Sequence, residues 1–108
     1  MPFRRGEVWY AALPEIGDKP VLVVSWDAVS NGIGSPVVCL ITSTDRERVF
    51  PTYLPIGGEE SGLGHDSYVL CHELLTLAGD SFRRHVGTIS PASLINVEIC
   101  LRRVLDLG

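Results

Sequence analysis

The sequence predicts a mainly β protein with one C-terminal α-helix: a small, strongly bent antiparallel sheet or barrel with the helix packed on it. Two observations carry this. Short apolar stretches rich in Val, Ile and aromatic residues recur from Glu7 to Ile89, separated by Gly, Pro, Asp and Ser. After Ser90 the apolar spacing changes from that of strands to that of a helix.

The first strand is read in GEVWYAAL, where Val8 and Tyr10 share one face and Trp9 and Ala11 the other. PEIGD is a turn-rich loop. It leads to Lys19 and then to PVLVVSW, a second, wholly apolar and therefore central strand that Pro20 opens. NGIGSP reads as a loop and VVCLITST as a third strand whose polar end begins at Thr42. DRER is a charged turn. FPTYLPI is an irregular fourth strand, and its two prolines place it on an edge. GGEESGLGHD is a glycine-rich loop. SYVLC and HELLTL form one long strand, or two with a break near Cys71 and His72. AGDSFRRHV holds a turn with one helical turn, and GTIS a short strand end. Ser90 suits an N-cap and Pro91 the first helical position. Leu94, Val97, Cys100, Leu101, Val104 and Leu105 share the inward face of the helix, and Glu98 stands four residues before Arg102, the spacing of a surface ion pair.

Composition bounds the function. The 108 residues suit a single domain spanning 1–108, and 45% hydrophobic with 20% charged residues supports one buried core. No apolar run approaches the roughly 20 residues of a membrane helix. The N-terminal arginines are not followed by the apolar region of a signal peptide, so a cytoplasmic location is expected. The three cysteines, Cys39, Cys71 and Cys100, are odd in number and far apart, and read as small buried hydrophobes rather than a disulfide framework. The net charge of −4 argues against a nucleic-acid partner, yet Arg4–Arg5, Arg46 with Arg48, Arg83–Arg84 and Arg102–Arg103 are local clusters that can build a basic groove in an acidic protein.

Among chemistry-bearing residues, His65, His72 and His85 have no spacing that places two of them on one face. Cys71, His72 and Glu73 are contiguous, and neighbouring strand residues point to opposite faces, so no metal site is expected. Trp9 and Trp26, in or beside apolar strands, are assigned to the core. No P-loop, nucleophile elbow or zinc-protease motif is present, and no cofactor is implied.

The ordered set RRGEVW, KPVLVVS, ITS, FPTYLPI and DSYVLCHELLTL resembles the MazF/PemK-type toxins of bacterial type II toxin–antitoxin systems, over Arg5 to Leu107. The resemblance implies a small SH3-like barrel of the CcdB/Kid/MazF plasmid-toxin type, usually a homodimer. It implies sequence-specific, metal-independent cleavage of single-stranded RNA to 2′,3′-cyclic phosphate and 5′-hydroxyl ends, and silencing by the acidic tail of a cognate antitoxin. In that family an arginine before the strand-opening proline and the threonine of Ile-Thr carry the catalysis. The matching positions are Lys19, the only lysine in the chain, and Thr42.

The substitution at 19 matters chemically. Arginine grips two phosphate oxygens with a planar fork, whereas lysine is a point charge. Lysine is the better proton donor, with a reference pKa of ~10.4 against ~12.5 or more for arginine. Glu15, four residues upstream, is the candidate base. Arg4, Arg5, Ser43, Thr44, Arg46 and Arg48 are the candidate RNA contacts, and Leu75 stands where family members often carry a basic residue. Two other classes fit a fold of this kind: a toxin that poisons DNA gyrase through its C-terminal helix, and a catalytically silent barrel that binds RNA or a peptide.

Overall fold

The computed structural model describes residues 2–44 and 51–108. Six strands, β1 (Glu7–Leu13), β2 (Gly17–Val23), β3 (Val37–Thr42), β4 (Tyr53–Ile56), β5 (Ser67–Thr76) and β6 (Phe82–Thr88), form one antiparallel sheet in the order β4-β5-β3-β2-β1-β6. Among the described residues three α-helices accompany them, α1 (Asp27–Ile33), the single turn α2 (Gly58–Ser61) and the C-terminal α3 (Pro91–Val104), with a 3-10 turn at Gly79–Ser81. The mainly β architecture with a terminal helix is the one expected, and β4 is an edge strand as its prolines require.

The sheet is buried on both faces. Val8, Leu22, Cys39, Ile41, Val69 and Cys71 pack beneath α3 with its Val97 and Cys100. On the other face Trp9, Ala11, Val21, Val23 and Val38 gather with Phe3, Leu13 and Leu77. The alternation read in β1 thus divides the two cores, and the Val21–Val23 end of β2, serving both, is apolar throughout. All three cysteines are buried and free.

The ladder itself stays open between β4 and β6. The gap is bridged by α2, whose end lies so close to β6 that a Cβ on Gly62 would meet the Val86 carbonyl oxygen at 1.7 Å and one on Gly87 the Ser61 oxygen at 2.3 Å. Only glycine permits this backbone approach. The same turn supplies Glu60, whose carboxylate accepts from the Ser90 amide (2.7 Å) and the Ser93 hydroxyl (2.9 Å) at the start of α3. Ser90 is the N-cap expected, accepting from the Ser93 amide, so a carboxylate from a distant turn completes the capping arrangement.

Several expectations are corrected. Lys19 lies within β2, opposite Ala11, because the β1–β2 hairpin stays paired to Leu13 and Gly17. β2 ends at Val23, so Trp26 leaves the sheet, sits before α1 and is 73% exposed rather than in the core. Part of the expected NGIGSP loop is helical: Asn31 holds α1 to Phe3 through hydrogen bonds to its amide (2.7 Å) and carbonyl (2.9 Å), a long-range tie that offsets the poor helix propensity of Asn and Gly. The glycine-rich stretch after β4 contains α2. Glu98 pairs with Arg5 instead of Arg102. Of the two readings of SYVLCHELLTL, one long strand or two with a break near Cys71, the structure has the first, with a bulge there: β5 opposes Cys39 with Leu74 but Leu40 with Leu70, so that Cys71, His72 and Glu73 fall between successive cross-strand pairs.

Candidate active site

The site forms where β2 and β3 stop pairing. Their register runs Val23 with Val38, Leu22 with Cys39 and Val21 with Leu40, and there it ends. The next residue on β2, Pro20, has no N–H to give to a neighbouring strand. Carried on at the same register, Pro20 would stand across from Ile41 and Lys19 across from Thr42. Beyond the last pair a cleft of about 430 Å³ opens, and Lys19, Pro20, Ile41, Thr42, Ser43 and Thr44 line it, along with Tyr10 of β1.

Lys19 is exposed, and among the described residues no carboxylate lies within ion-pair distance of it. Thr42 is oriented by its own turn. The Thr44 amide donates to the Thr42 Oγ1 at 3.2 Å, so the hydroxyl oxygen serves as acceptor there and its proton is left to be donated elsewhere. The turn bonding expected of Ser43 and Thr44 therefore positions the catalytic candidate, while both residues also line the cleft.

Of the other named candidates, Glu15, Arg4 and Arg5 do not line the cleft. Glu15, in the β1–β2 turn with φ 64°, is not among the residues lining the cleft. Arg4 is exposed and its amide donates to Glu7. Arg5 is taken up by the fold: its Nε donates to the Val24 carbonyl (2.9 Å), its amide to Asp27 (2.8 Å), and its guanidinium pairs with Glu98 of α3. Arg46 and Arg48 lie outside the described residues. The cleft wall includes two groups that sequence spacing did not bring to the site, His65 and Glu73. His65 arrives on the loop before β5. Glu73 arrives through the β5 bulge, which no local pattern announces. The three histidines are kept in separate settings: His72 bonds Thr52 (2.9 Å) and stacks on Tyr53, and His85 stacks on Trp9.

The fold is thus a small antiparallel sheet with a C-terminal helix, whose cleft of mixed polarity gathers a lysine, a threonine hydroxyl, a histidine and a glutamate. Residues 4–105 match the profile of the PemK-like, MazF-like toxins of type II toxin–antitoxin systems, and the chain belongs to that family. It is 41% identical over 91 residues to the probable endoribonuclease MazF2 of Mycobacterium tuberculosis, covering 84% of this chain and 86% of that one. The endoribonuclease MazF9 of the same species is 28% identical, covering 96% and 97%. Among solved structures, a mycobacterial endoribonuclease in complex with its cognate antitoxin superposes with a TM-score of 0.83 at 25% identity, covering 99% of this chain and 96% of that chain.

Proposed function

We propose that this protein is the toxin of a type II toxin–antitoxin system. It cuts single-stranded RNA without a metal ion, leaving 2′,3′-cyclic phosphate and 5′-hydroxyl ends, and so stops translation and growth. It acts in the cytoplasm as a homodimer and is silenced by a cognate antitoxin whose acidic segment competes for the phosphate-binding cleft. The observation that carries this reading is the meeting of Lys19 and Thr42 on one cleft where β2 parts from β3.

The chemistry follows from what transesterification needs. The 2′-oxygen attacks the adjacent phosphorus as its proton passes to a base; on the cleft wall, His65 and Glu73 are able to accept it. Negative charge grows on the non-bridging oxygens, where the Thr42 hydroxyl donates and the Lys19 ammonium supplies positive charge. The bond from phosphorus to the 5′-oxygen breaks, and that oxygen takes a proton from Lys19. Each preorganised donor is worth about 3 kcal/mol in such a transition state.

The test is cleavage of a long single-stranded RNA by purified protein in EDTA, with end mapping. Wild type and Lys19→Arg are expected to cut, and Lys19→Ala to lose about 10²–10³-fold in rate. Cutting that requires added metal and persists in Lys19→Ala overturns the proposal.

A further inference from the structure

We infer that Arg84 and Tyr10 form a second phosphate-binding position that extends the RNA path from the cleft toward the β6 edge of the sheet. This inference rests on the ribonuclease reading of the cleft. Tyr10 lines the cleft and is the cross-strand partner of Pro20 on β2 and of Arg84 on β6, so the three form one row across three strands. Strands lie about 4.8 Å apart, which sets Arg84 about 10 Å from the β2 wall of the cleft. The β1–β6 register slips between Tyr10 and Ala11, where Arg83 is the extra residue on β6, and this bulge sets Arg84 opposite the tyrosine.

The Arg84 side chain has the attributes of a binding group. Its guanidinium carbon lies 5.1 Å from the centre of the Tyr10 ring, so the aromatic face holds it in place without neutralising it. It is exposed, and among the described residues no carboxylate lies within ion-pair distance of it. Its neighbour Arg83 instead donates to the Asp80 carbonyl (3.1 Å). In a chain of net charge −4, an arginine with no carboxylate partner among the described residues adds local positive charge at the β1–β6 end of the cleft wall that Tyr10 forms. A guanidinium held over a ring keeps its N–H groups for phosphate oxygens, the contact by which single strands are held. Tyr10 is then a positioning residue for Arg84.

The probe is a mixed-sequence 2′-O-methyl RNA, which has no attacking hydroxyl and is bound without being cut. Its affinity is measured by fluorescence anisotropy between about 50 and 200 mM salt. Arg84→Gln is expected to weaken binding several-fold and to reduce the slope of log affinity against log salt by roughly 0.7, the loss of one single-strand phosphate contact. Tyr10→Phe keeps the ring and the slope, whereas Tyr10→Leu loses part of both. Arg83→Gln leaves both unchanged, and thermal melts establish that each variant is folded. The inference is overturned if Arg84→Gln binds like wild type, if Arg83→Gln and Arg84→Gln lower the slope equally, or if Arg84→Gln weakens only a polyglutamate competitor. In those cases wild-type cleavage that Lys19→Ala abolishes keeps the ribonuclease reading standing. A wild type that neither binds nor cuts RNA removes both.

Discussion

Lys19 of β2 and Thr42 of β3 line the same cleft, each two residues beyond the last pair of their strands, Val21 with Leu40. The ammonium and the hydroxyl thus come from neighbouring strands of a packed sheet, and only the end of the ladder separates them. Because Thr42 accepts from the Thr44 amide, its own proton remains available to donate into the cleft. Replacing it by valine keeps the shape and removes the donor. Thr42→Val is expected to lower kcat by about 10²–10³-fold with the fold intact, and Thr42→Ser to retain most of the rate. Equal losses in the serine and valine variants would show that the methyl group, not the hydroxyl, is what the site uses.

Pro20 keeps this end of the ladder open, since an amide there could donate to β3 and draw the strands together. Pro20→Ala supplies that N–H. The expected outcome is a protein of similar stability whose cleavage rate falls about tenfold, as a cleft narrowed by an extra ladder bond misplaces Lys19. Amide exchange at residue 20 checks the cause: protection of the new N–H should accompany the loss of rate. An unprotected amide with full activity would show that the separation of the strands does not depend on the proline.

Arg5 is predicted to matter for stability rather than for RNA. Its side chain joins the Val24 carbonyl to Glu98, and so ties the end of β2 to α3. The two side chains are 32% and 40% exposed, which keeps the coupling modest, at about 0.5–1 kcal/mol in a double-mutant cycle of Arg5→Ala and Glu98→Ala. Arg5→Ala alone also loses the bond to Val24 and is expected to cost about 1–2 kcal/mol by urea unfolding. The salt dependence of RNA binding should not change. A reduced salt slope without destabilisation would return Arg5 to the substrate path.

What the sequence made legible were features written in local periodicity. The alternation at Val8 to Ala11, the uniform apolarity of Val21 to Val24 and the Ser90–Pro91 start of α3 each have one physical meaning at short range, and each is found. Features decided by long-range contacts were not legible. Asn31 belongs to a helix because Phe3, 28 residues away, completes its hydrogen bonds. Sequence alone puts Trp26 in the core because an apolar run does not announce where its strand stops. Lys19 and Thr42 came from family resemblance, whereas the cleft positions of Glu73 and Tyr10 needed the β5 bulge and the strand order, neither of which leaves a local trace.

Glu60 gives a pH test of how the open sheet is held to its helix. Burial by itself would raise its carboxyl, but the hydrogen bonds from the Ser90 amide and the Ser93 and Ser90 hydroxyls outweigh it and hold the group below its ordinary value of 4.5. A carboxyl depressed in the folded state stabilises the fold at pH above its unfolded value. That contribution disappears as pH falls from about 4.5 through the lowered folded value. Glu60→Gln keeps an acceptor for the Ser90 amide but has no charge to place at the positive end of α3. At pH 7 the variant should be less stable by about 0.5 kcal/mol, because the carboxylate is largely solvent-screened. The gap should close as the pH is lowered below 4.5, because the protonated Glu60 carboxyl and the amide of the variant are then nearly equivalent neutral acceptors. Urea midpoints for both proteins between neutral and acid pH measure this directly. Parallel curves over the whole range would mean that the carboxylate charge contributes nothing to the cap and that the hydrogen-bond geometry alone secures α2 to α3.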